Sequence, residues 1–247
     1  EGLPTDRLPV LPGGIAIMCA VFSGLRIEHM GYADGALRLG VLYDLLGRFH
    51  HRDMRDSTVL HFMRRYQVDE RQVQRVANTA LNALGQLIDV DLPEHENDVR
   101  FMRWAVNLHE IGISIAHNSY HKHGAYILRF ADMPGFSKKD QERLALLVLG
   151  HRGKLDNLPA LPKSDAVWRL IFCLRLAIAL HRSRDEHALP DFHVSDAAGG
   201  HQVELPADWL AANPLSASVL SDESIAWQRI GSSLSIKQRA FPAAIAA

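Results

Sequence analysis

The chain has 247 residues, with 27 lysines and arginines, 28 aspartates and glutamates and 14 histidines, which gives a net charge of −1. This balance excludes a uniformly basic protein of the kind that coats nucleic acids, so no nucleic-acid partner is expected. Any site for a polyanion must therefore come from a local cluster of cations. The length allows more than one domain with a buried core.

The cysteines and the apolar segments indicate the compartment. Cys19 and Cys173 lie far apart in apolar surroundings, which is typical of reduced core thiols and not of a disulfide framework. Residues 1–12 lack the basic start and apolar run of a signal peptide, and no apolar stretch reaches the roughly 20 residues of a membrane helix. We therefore expect a cytoplasmic protein with no transmembrane segment.

The N-terminal residues predict the end of a larger domain. A short apolar run at residues 8–12 precedes Gly13, Gly14 and the apolar segment 15–25, which predicts a strand, a turn and a helix. A strand needs a neighbour to pair its backbone groups, and the sequence offers none before it. Residues 1–48 are therefore predicted to belong to a domain whose larger part lies outside this sequence.

A long helical region follows, because apolar residues recur there at three- and four-residue spacing. Asp69 and Ser137 are typical helix starts, and Asp140 completes a capping-box pattern with Ser137. Gly135 marks a joint between two of the helices. The predicted helices span residues 55–66, 69–88, 96–111, 120–130, 137–150 and 164–182.

The composition changes after Pro190. Apolar residues alternate on both sides of a glycine turn at residues 197–200, which predicts two short strands. A short helix is expected at residues 209–213, and one or two further strands at residues 224–236. The tail is thus predicted to be a small α+β module.

Histidines cluster in the middle of the chain. His109, His117, His121 and His123 fall within fifteen residues, and a later helix ends in the sequence His-Arg-Gly-Lys at residues 151–154. Imidazoles can ligate a divalent metal, whereas protonated imidazoles with lysine and arginine can hold phosphate oxygens. The residue types alone leave both kinds of site open.

The histidine cluster resembles the HD superfamily of metal-dependent phosphohydrolases, in which a His-Asp pair, an earlier histidine and a later aspartate surround the metal. Here Glu110 follows His109, Asn78 or a near neighbour stands for the earlier histidine, and Ile178 stands for the later aspartate. A catalytic metal needs several protein ligands at once, so no metal ligand is assigned. His109 is expected to pack inside the core.

A narrower resemblance covers nearly the whole chain. Several motifs resemble, in order, the C-terminal half of the exopolyphosphatase and guanosine pentaphosphate phosphohydrolase (Ppx/GppA) family, although Leu39 stands where that family often has a glutamate. The motifs lie at residues 12–17 and 33–42, similar to the end of an actin-like ATPase core, and at residues 108–112, 117–128, 133–137 and 151–152.

The resemblance implies a mainly α fold. An HD-like helical bundle at residues 49–189 would follow the last segment of an actin-like (ASKHA) α/β domain at residues 1–48 and precede a small α+β module at residues 190–247. It also implies a homodimer, with a catalytic glutamate, phosphate-binding loops and Mg²⁺ in upstream actin-like parts of the same protein. No catalytic residue is therefore assigned to this chain, which is expected to be inactive alone.

The resemblance further implies that the helical domain holds inorganic polyphosphate through His117 and His121. Lysine, arginine and histidine donors nearby are suited to join them, although such residues also serve as helix caps, salt bridges or solvated charges. A glycine pair before a helix also lets backbone N–H groups approach a phosphate. The further candidates are Lys122, His123, Arg152, Lys154, Arg38, Arg7, Gly13, Gly14, Arg48, His51 and Arg52.

The leading functional expectation is the polyphosphate-binding and dimerisation part of an exopolyphosphatase, which releases terminal phosphate from inorganic polyphosphate. The sister function, a guanosine pentaphosphate phosphohydrolase, shares the same motifs. A freestanding HD-type metal phosphohydrolase and a non-catalytic dimerisation module are the third and fourth candidate functions.

Overall fold

The computed structural model of the chain consists of two compact units, Glu1–Leu46 and Gly47–Ala247, which are described separately. The backbone is described over residues 5–30, 53–162, 165–184 and 189–239, and the side chains from residue 8 onward.

The described part of the first unit is helical from Thr5 to Leu25. A 3-10 helix, Thr5–Val10, leads directly into helix α1, Leu11–Leu25, so the predicted strand and turn are wrong. Pro12 explains the difference, because proline favours the first helical turn, where its missing N–H is not needed. Gly13 and Gly14 consequently lie inside the first turn of α1.

Helix α1 exposes apolar side chains along its length, including Ile15, Ile17 and Leu25. Cys19 is exposed too, so the prediction of a core thiol is wrong for this residue. By length and composition alone, Leu8–Leu25 is apolar enough to cross a membrane, a property shared by core helices of soluble proteins and by signal sequences.

The second unit contains the six predicted helices, each within three residues of its expected ends. Asp69 caps one of them by accepting hydrogen bonds from the backbone N–H groups of Arg71 and Gln72, and Ser137 forms the predicted capping box with Asp140. The helices are α2 Met54–Arg65, α3 Glu70–Leu87, α4 Glu96–Leu108, α5 Tyr120–Phe130, α6 Lys138–Gly150 and α7 Ala166–Leu180.

Helices α4 and α7 form the centre of the core. Phe101, Trp104 and Phe172 are almost fully buried. Trp104 meets its polar requirement by donating its indole N–H to Asp56 Oδ1 at 2.6 Å. Cys173 is buried beside them, and burial raises the pKa of its thiol, so this cysteine is the core thiol that the sequence predicted.

The tail forms a three-stranded sheet with two helices. Strand β1, His193–Ala197, pairs antiparallel with β2, Gly200–Pro206, as the glycine turn predicted. Helices α8, Ala207–Ala212, and α9, Pro214–Arg229, follow, and β3, Ser233–Arg239, returns parallel to β2. The strand expectation for residues 224–236 is therefore wrong up to Arg229 and right for the last residues.

Two glycines let the elements around the histidines approach closely. A short 3-10 helix, Ile111–Ser114, follows α4 and lies against the start of α5. A Cβ atom on Gly112 would lie 2.0 Å from the carbonyl oxygen of Tyr120 and 2.4 Å from the amide nitrogen of Gly124. A Cβ on Gly124 would in turn lie 3.0 Å from Val148 of α6. At Gly112 only glycine permits this stacking, whereas a Cβ on Gly124 would require Val148 to shift.

We predict that Gly112→Ala destabilises the chain by about 3 kcal/mol or more, because the added methyl group would overlap backbone atoms that cannot move independently. Gly85→Ala is the matched control, since its Cβ would meet only Val90 at 3.8 Å within helix α3. That change should stabilise the chain by about 0.5–1 kcal/mol. Urea denaturation of both variants checks the pair, and equal stabilities would contradict the prediction.

Candidate functional site

A cavity of about 630 Å³ lies among the helix ends of the second unit. Its lining comes from the α2–α3 connection, the α4–α5 connection, the segment after α6, the last turns of α7, and α9. These segments are far apart in the sequence. The cavity therefore depends on the packed bundle and not on any single motif.

Two buried histidines, His109 and His151, line this cavity. The Nδ1 atom of His109 donates to the carbonyl of Val106 at 2.6 Å, and that of His151 donates to the carbonyl of Val148. A carbonyl only accepts, so both neutral rings carry their proton on Nδ1 and keep Nε2 as an acceptor. The burial of His109 confirms the prediction made from its sequence.

The buried histidines are held neutral by their surroundings. Burial lowers the pKa of His109, despite the opposing charge of Glu110, whose Oε1 lies 3.9 Å from His109 Nε2. Burial, together with the charge that His109 would carry, lowers the pKa of His151 well below its usual value. The two ring centroids are 5.4 Å apart. Two charged imidazoles at this distance would repel each other.

The carboxylates of the cavity are engaged in ion pairs. Arg184 donates to Glu110 and also to Asp69, at 3.2 Å. Arg175 donates two hydrogen bonds of 2.7 Å to the carboxylate of Glu223 and a third to the carbonyl of Gly150. A buried arginine is tolerated when its donors are paired in this way. Both arginines are thereby neutralised by protein groups.

Arg152 and Arg182 are the exceptions among the lining arginines. Both are exposed, and neither forms an ion pair with a carboxylate in the described part of the chain. The guanidinium of Arg152 instead lies 5.1 Å above the ring of Tyr120, which stabilises it by a cation–π contact. These two side chains are available to an anion entering the cavity.

The positions of an HD-type metal site are filled by residues that do not fit a metal. Glu110 is paired with Arg184, and Ile178 lies where the later aspartate was sought. Asn78 is exposed and bonded to Gln74, whereas Gln72, nearly two turns earlier on α3, lines the cavity. Within the described ranges, no three His, Cys, Asp or Glu residues are placed to share a metal ion.

Several predicted phosphate-binding residues lie together next to this cavity. His117 and Arg152 line it, and His121 packs against the turn at Gly153, where a Cβ would lie 2.9 Å from Nε2. Burial lowers the pKa of His121, and the charges of Lys122 and Arg152 lower it further. We call this set the phosphate face. It consists of His117, His121, Lys122, His123, Arg152 and Lys154.

The other predicted residues are placed differently. Gly13 and Gly14 lie in the first unit, and a Cβ on either would meet no atom within 4 Å, so close packing does not require them to be glycine. Their role in phosphate binding stays a prediction. Four candidates and one side chain lie outside the described residues. These are Arg38, Arg48, His51, Arg52 and the side chain of Arg7.

Sequence reasoning missed most of the polar lining of the cavity. Arg175 was the residue of this lining that the sequence could most easily have indicated. A charged residue within the apolar helix Ala166–Leu180 needs a buried partner. The basic residues 182 and 184 at the end of that helix are a weaker signal. Glu223 had none, because no helix was expected at residues 214–223 and a strand was expected directly after them.

Comparison with known proteins places these features in context. Residues 54–224 match the model for "Ppx/GppA phosphatase, domain III", and residues 1–49 match that for "Ppx/GppA phosphatase family". Similar curated proteins are named guanosine-5′-triphosphate,3′-diphosphate pyrophosphatase. The relative from Pseudoalteromonas translucida is 37% identical over 93% of this chain and 47% of its own length.

Two further relatives with this name give the same picture. The protein of Photobacterium profundum is 37% identical over 91% of this chain and 45% of its own length. The protein of Aeromonas hydrophila is 37% identical over 94% of this chain and 47% of its own length. The chain thus spans about half the length of the curated relatives it matches.

We predict that the chain loses stability as the pH falls from about 7.5 to about 5.5. The pKa values of His109 and His151 are lowered in the folded state, so below about pH 6.5 the unfolded chain takes up protons that the folded chain does not. Each such histidine removes up to about 1.4 kcal/mol of unfolding free energy per pH unit. Thermal unfolding across this range measures the effect.

Histidine variants supply the control for this measurement. His151→Phe should make the decline shallower because one buried imidazole is gone. His61→Ala, which removes an exposed histidine that does not line the cavity, should retain the full decline. A melting temperature that is constant over the whole range would contradict the prediction.

Proposed function

Because the chain belongs to the Ppx/GppA phosphatase family, we propose that it is the C-terminal part of a hydrolase that removes the terminal phosphate of guanosine 5′-triphosphate 3′-diphosphate. The names of the similar curated proteins support this substrate over the inorganic polyphosphate expected first. The catalytic glutamate, Mg²⁺ and actin-like partner domain would belong to the upstream part of the longer protein.

One structural observation carries the role proposed for this chain. The phosphate face brings the start of α5 together with the turn after α6, so that cations separated by about thirty residues in sequence lie side by side. Lys122, Arg152 and Lys154 are exposed and pair with no carboxylate in the described ranges. Exposed, unpaired cations suit phosphate oxygens, because no protein ion pair must be broken on binding. The chain would thus hold substrate phosphates for the upstream catalytic centre.

Inorganic polyphosphate is the second candidate substrate. The observation in its favour is the openness of the phosphate face, where Lys122 and Lys154 are exposed and do not line the cavity. An open row of cations can follow a long anion, and each added phosphate would then add a contact. Polyphosphate affinity that rises with chain length supports this candidate.

A metal-dependent hydrolase and a dimerisation module have less support. A freestanding HD-type metal hydrolase needs ligands that the cavity does not offer, since Glu110 is paired with Arg184 and Ile178 replaces a carboxylate. A homodimer remains a proposal.

We further propose that the apolar side chains of α1 are covered by the rest of the phosphatase domain in the longer protein. Helix α1 lies within the matched residues 1–49 and exposes these side chains here.

We predict that Lys122→Ala combined with Lys154→Ala weakens binding of guanosine pentaphosphate about fivefold, because two exposed cations leave the phosphate face. The wild-type affinity should also fall when the salt concentration is raised from about 50 mM to about 200 mM. Isothermal titration of the chain with guanosine pentaphosphate, and with polyphosphate of two lengths, measures both effects.

The matched control removes the same charge elsewhere. Lys138→Ala combined with Lys139→Ala deletes two exposed lysines at the start of α6, outside the phosphate face, and should leave binding unchanged. Equal losses in the two double variants would mean that only the overall charge matters. That result would remove the phosphate face from the proposal.

A further inference from the structure

We propose that His121 takes up a proton from solvent when a phosphate-bearing anion binds to the phosphate face, and that the Nδ1–H of the charged ring is then donated toward Nε2 of His151. The proposal rests on the function proposed above, since it concerns how the phosphate face binds its anion. It is argued from the cations around His121, the unpaired nitrogens of the two rings and the fixed proton of His151.

The first step is the position of His121. Its half-buried ring lies against the turn after α6, where a Cβ on Gly153 would lie 2.9 Å from Nε2. The side chains whose charges act most strongly on this ring come from α5 itself, from the turn after α6 and from α7. They are Lys122, Arg152, Arg175 and His123. All four carry positive charge or none, so a charged His121 would be repelled from several sides.

The second step is the state of the ring when no anion is bound. Burial lowers the pKa of His121, and the charges of Lys122 and Arg152 lower it further. The carboxylates that line the neighbouring cavity do little to offset these charges, because each is already paired with an arginine. They are Asp69, Glu110 and Glu223. Free His121 is therefore neutral near pH 7.

The third step is the change that an anion makes. Lys122 follows His121 in the sequence and Arg152 precedes Gly153, so an anion held by these two cations lies close to the imidazole. The anion would offset both positive charges and would add negative charge beside the ring. Each effect favours the charged form of a histidine. Anion binding and proton uptake by His121 are therefore coupled.

The fourth step is an acceptor for the added proton. A charged imidazole donates from both nitrogens, and Nδ1 of His121 is buried with no hydrogen-bond partner among the described residues. Nε2 of His151 is buried and unpaired as well, and it can only accept, because Nδ1 of that ring donates to the carbonyl of Val148. The two ring centroids are 6.2 Å apart and the rings are perpendicular. A small rotation of His121, or one intervening water molecule, would join donor and acceptor.

The coupling fixes the sign of the pH dependence of binding. The contribution of His121 to the affinity appears as the pH falls through its pKa in the bound state. It is complete below its pKa in the free chain, which is the lower of the two values. Above both values the ring is neutral with and without the anion, and it adds nothing.

The test counts protons during an isothermal titration of the 247-residue chain with tripolyphosphate at about pH 6.5. Two buffers with different heats of ionisation give the number of protons taken up for each bound anion. Because tripolyphosphate itself titrates near this pH, the result is the difference between chains. The wild-type chain should take up about half a proton more than His121→Gln. His61→Gln, the same change at an exposed histidine outside the phosphate face, should match the wild type.

The role of His151 has its own variant. His151→Phe removes the acceptor and leaves every residue of the phosphate face in place, so it should lower the proton uptake toward that of His121→Gln. Wild-type uptake in His151→Phe would remove His151 from the proposal. Equal uptake by the wild-type chain and His121→Gln would overturn the proposal, and so would loss of the proton in His123→Gln but not in His121→Gln.

A measurement on the unaltered chain covers the case in which a variant does not fold. Nuclear magnetic resonance follows the imidazole C–H signals of His121 as the pH is changed, with and without tripolyphosphate. The midpoint should lie at higher pH with the anion, and an unchanged midpoint would overturn the proposal. If tripolyphosphate does not bind at all, the phosphate face itself is rejected. That failure of the proposed function is distinct from binding without proton uptake.

Discussion

The close contact at Gly112 is the constraint on which the histidine region depends. Because Gly112 has no side chain, the turn after α4 lies directly against the backbone of α5, and Gly124 lets the side chain of Val148 in α6 approach α5. This stacking brings the end of α4, which carries His109, to the end of α6, which carries His151. A side chain at Gly112 would overlap the backbone of α5 and would push apart the segments that line the cavity.

The charged and polar side chains of the cavity are held in place by other protein groups. In a metal site, a dication would neutralise the carboxylates and fix the imidazoles. Here Arg184 neutralises Glu110, and backbone carbonyls fix His109 and His151 through Nδ1. A guanidinium cannot act as a Lewis acid, so Arg184 takes over only the charge that a dication would supply. The cavity lies within the part of the chain that matches domain III of the family.

Much of the fold could be predicted from sequence, because helices α2 to α7 have regular apolar spacing and clear caps such as Asp69 and Ser137. Local signals failed where they were ambiguous: residues 8–12 were expected to be a strand, and the serine-rich helix α9 did not show helical periodicity. Motifs pointed to the residues that the structure groups around His121, and their role in phosphate binding stays a prediction. They did not point to the cavity, because Glu223 and Arg184 reach it only through tertiary packing, which spacing within one segment cannot show.

The pairing of Arg175 with Glu223 has a consequence for how this protein can change over evolution. Arg175 belongs to the central helix of the bundle, whereas Glu223 belongs to α9 in the tail. Loss of the tail would leave the buried guanidinium of Arg175 without its carboxylate partner. It would also remove Val219 and Glu223 from the lining of the cavity. The tail therefore cannot be replaced by an unrelated segment without loss of these contacts. Recombination that exchanged it between relatives would have to carry the matching partner of Arg175 along with it.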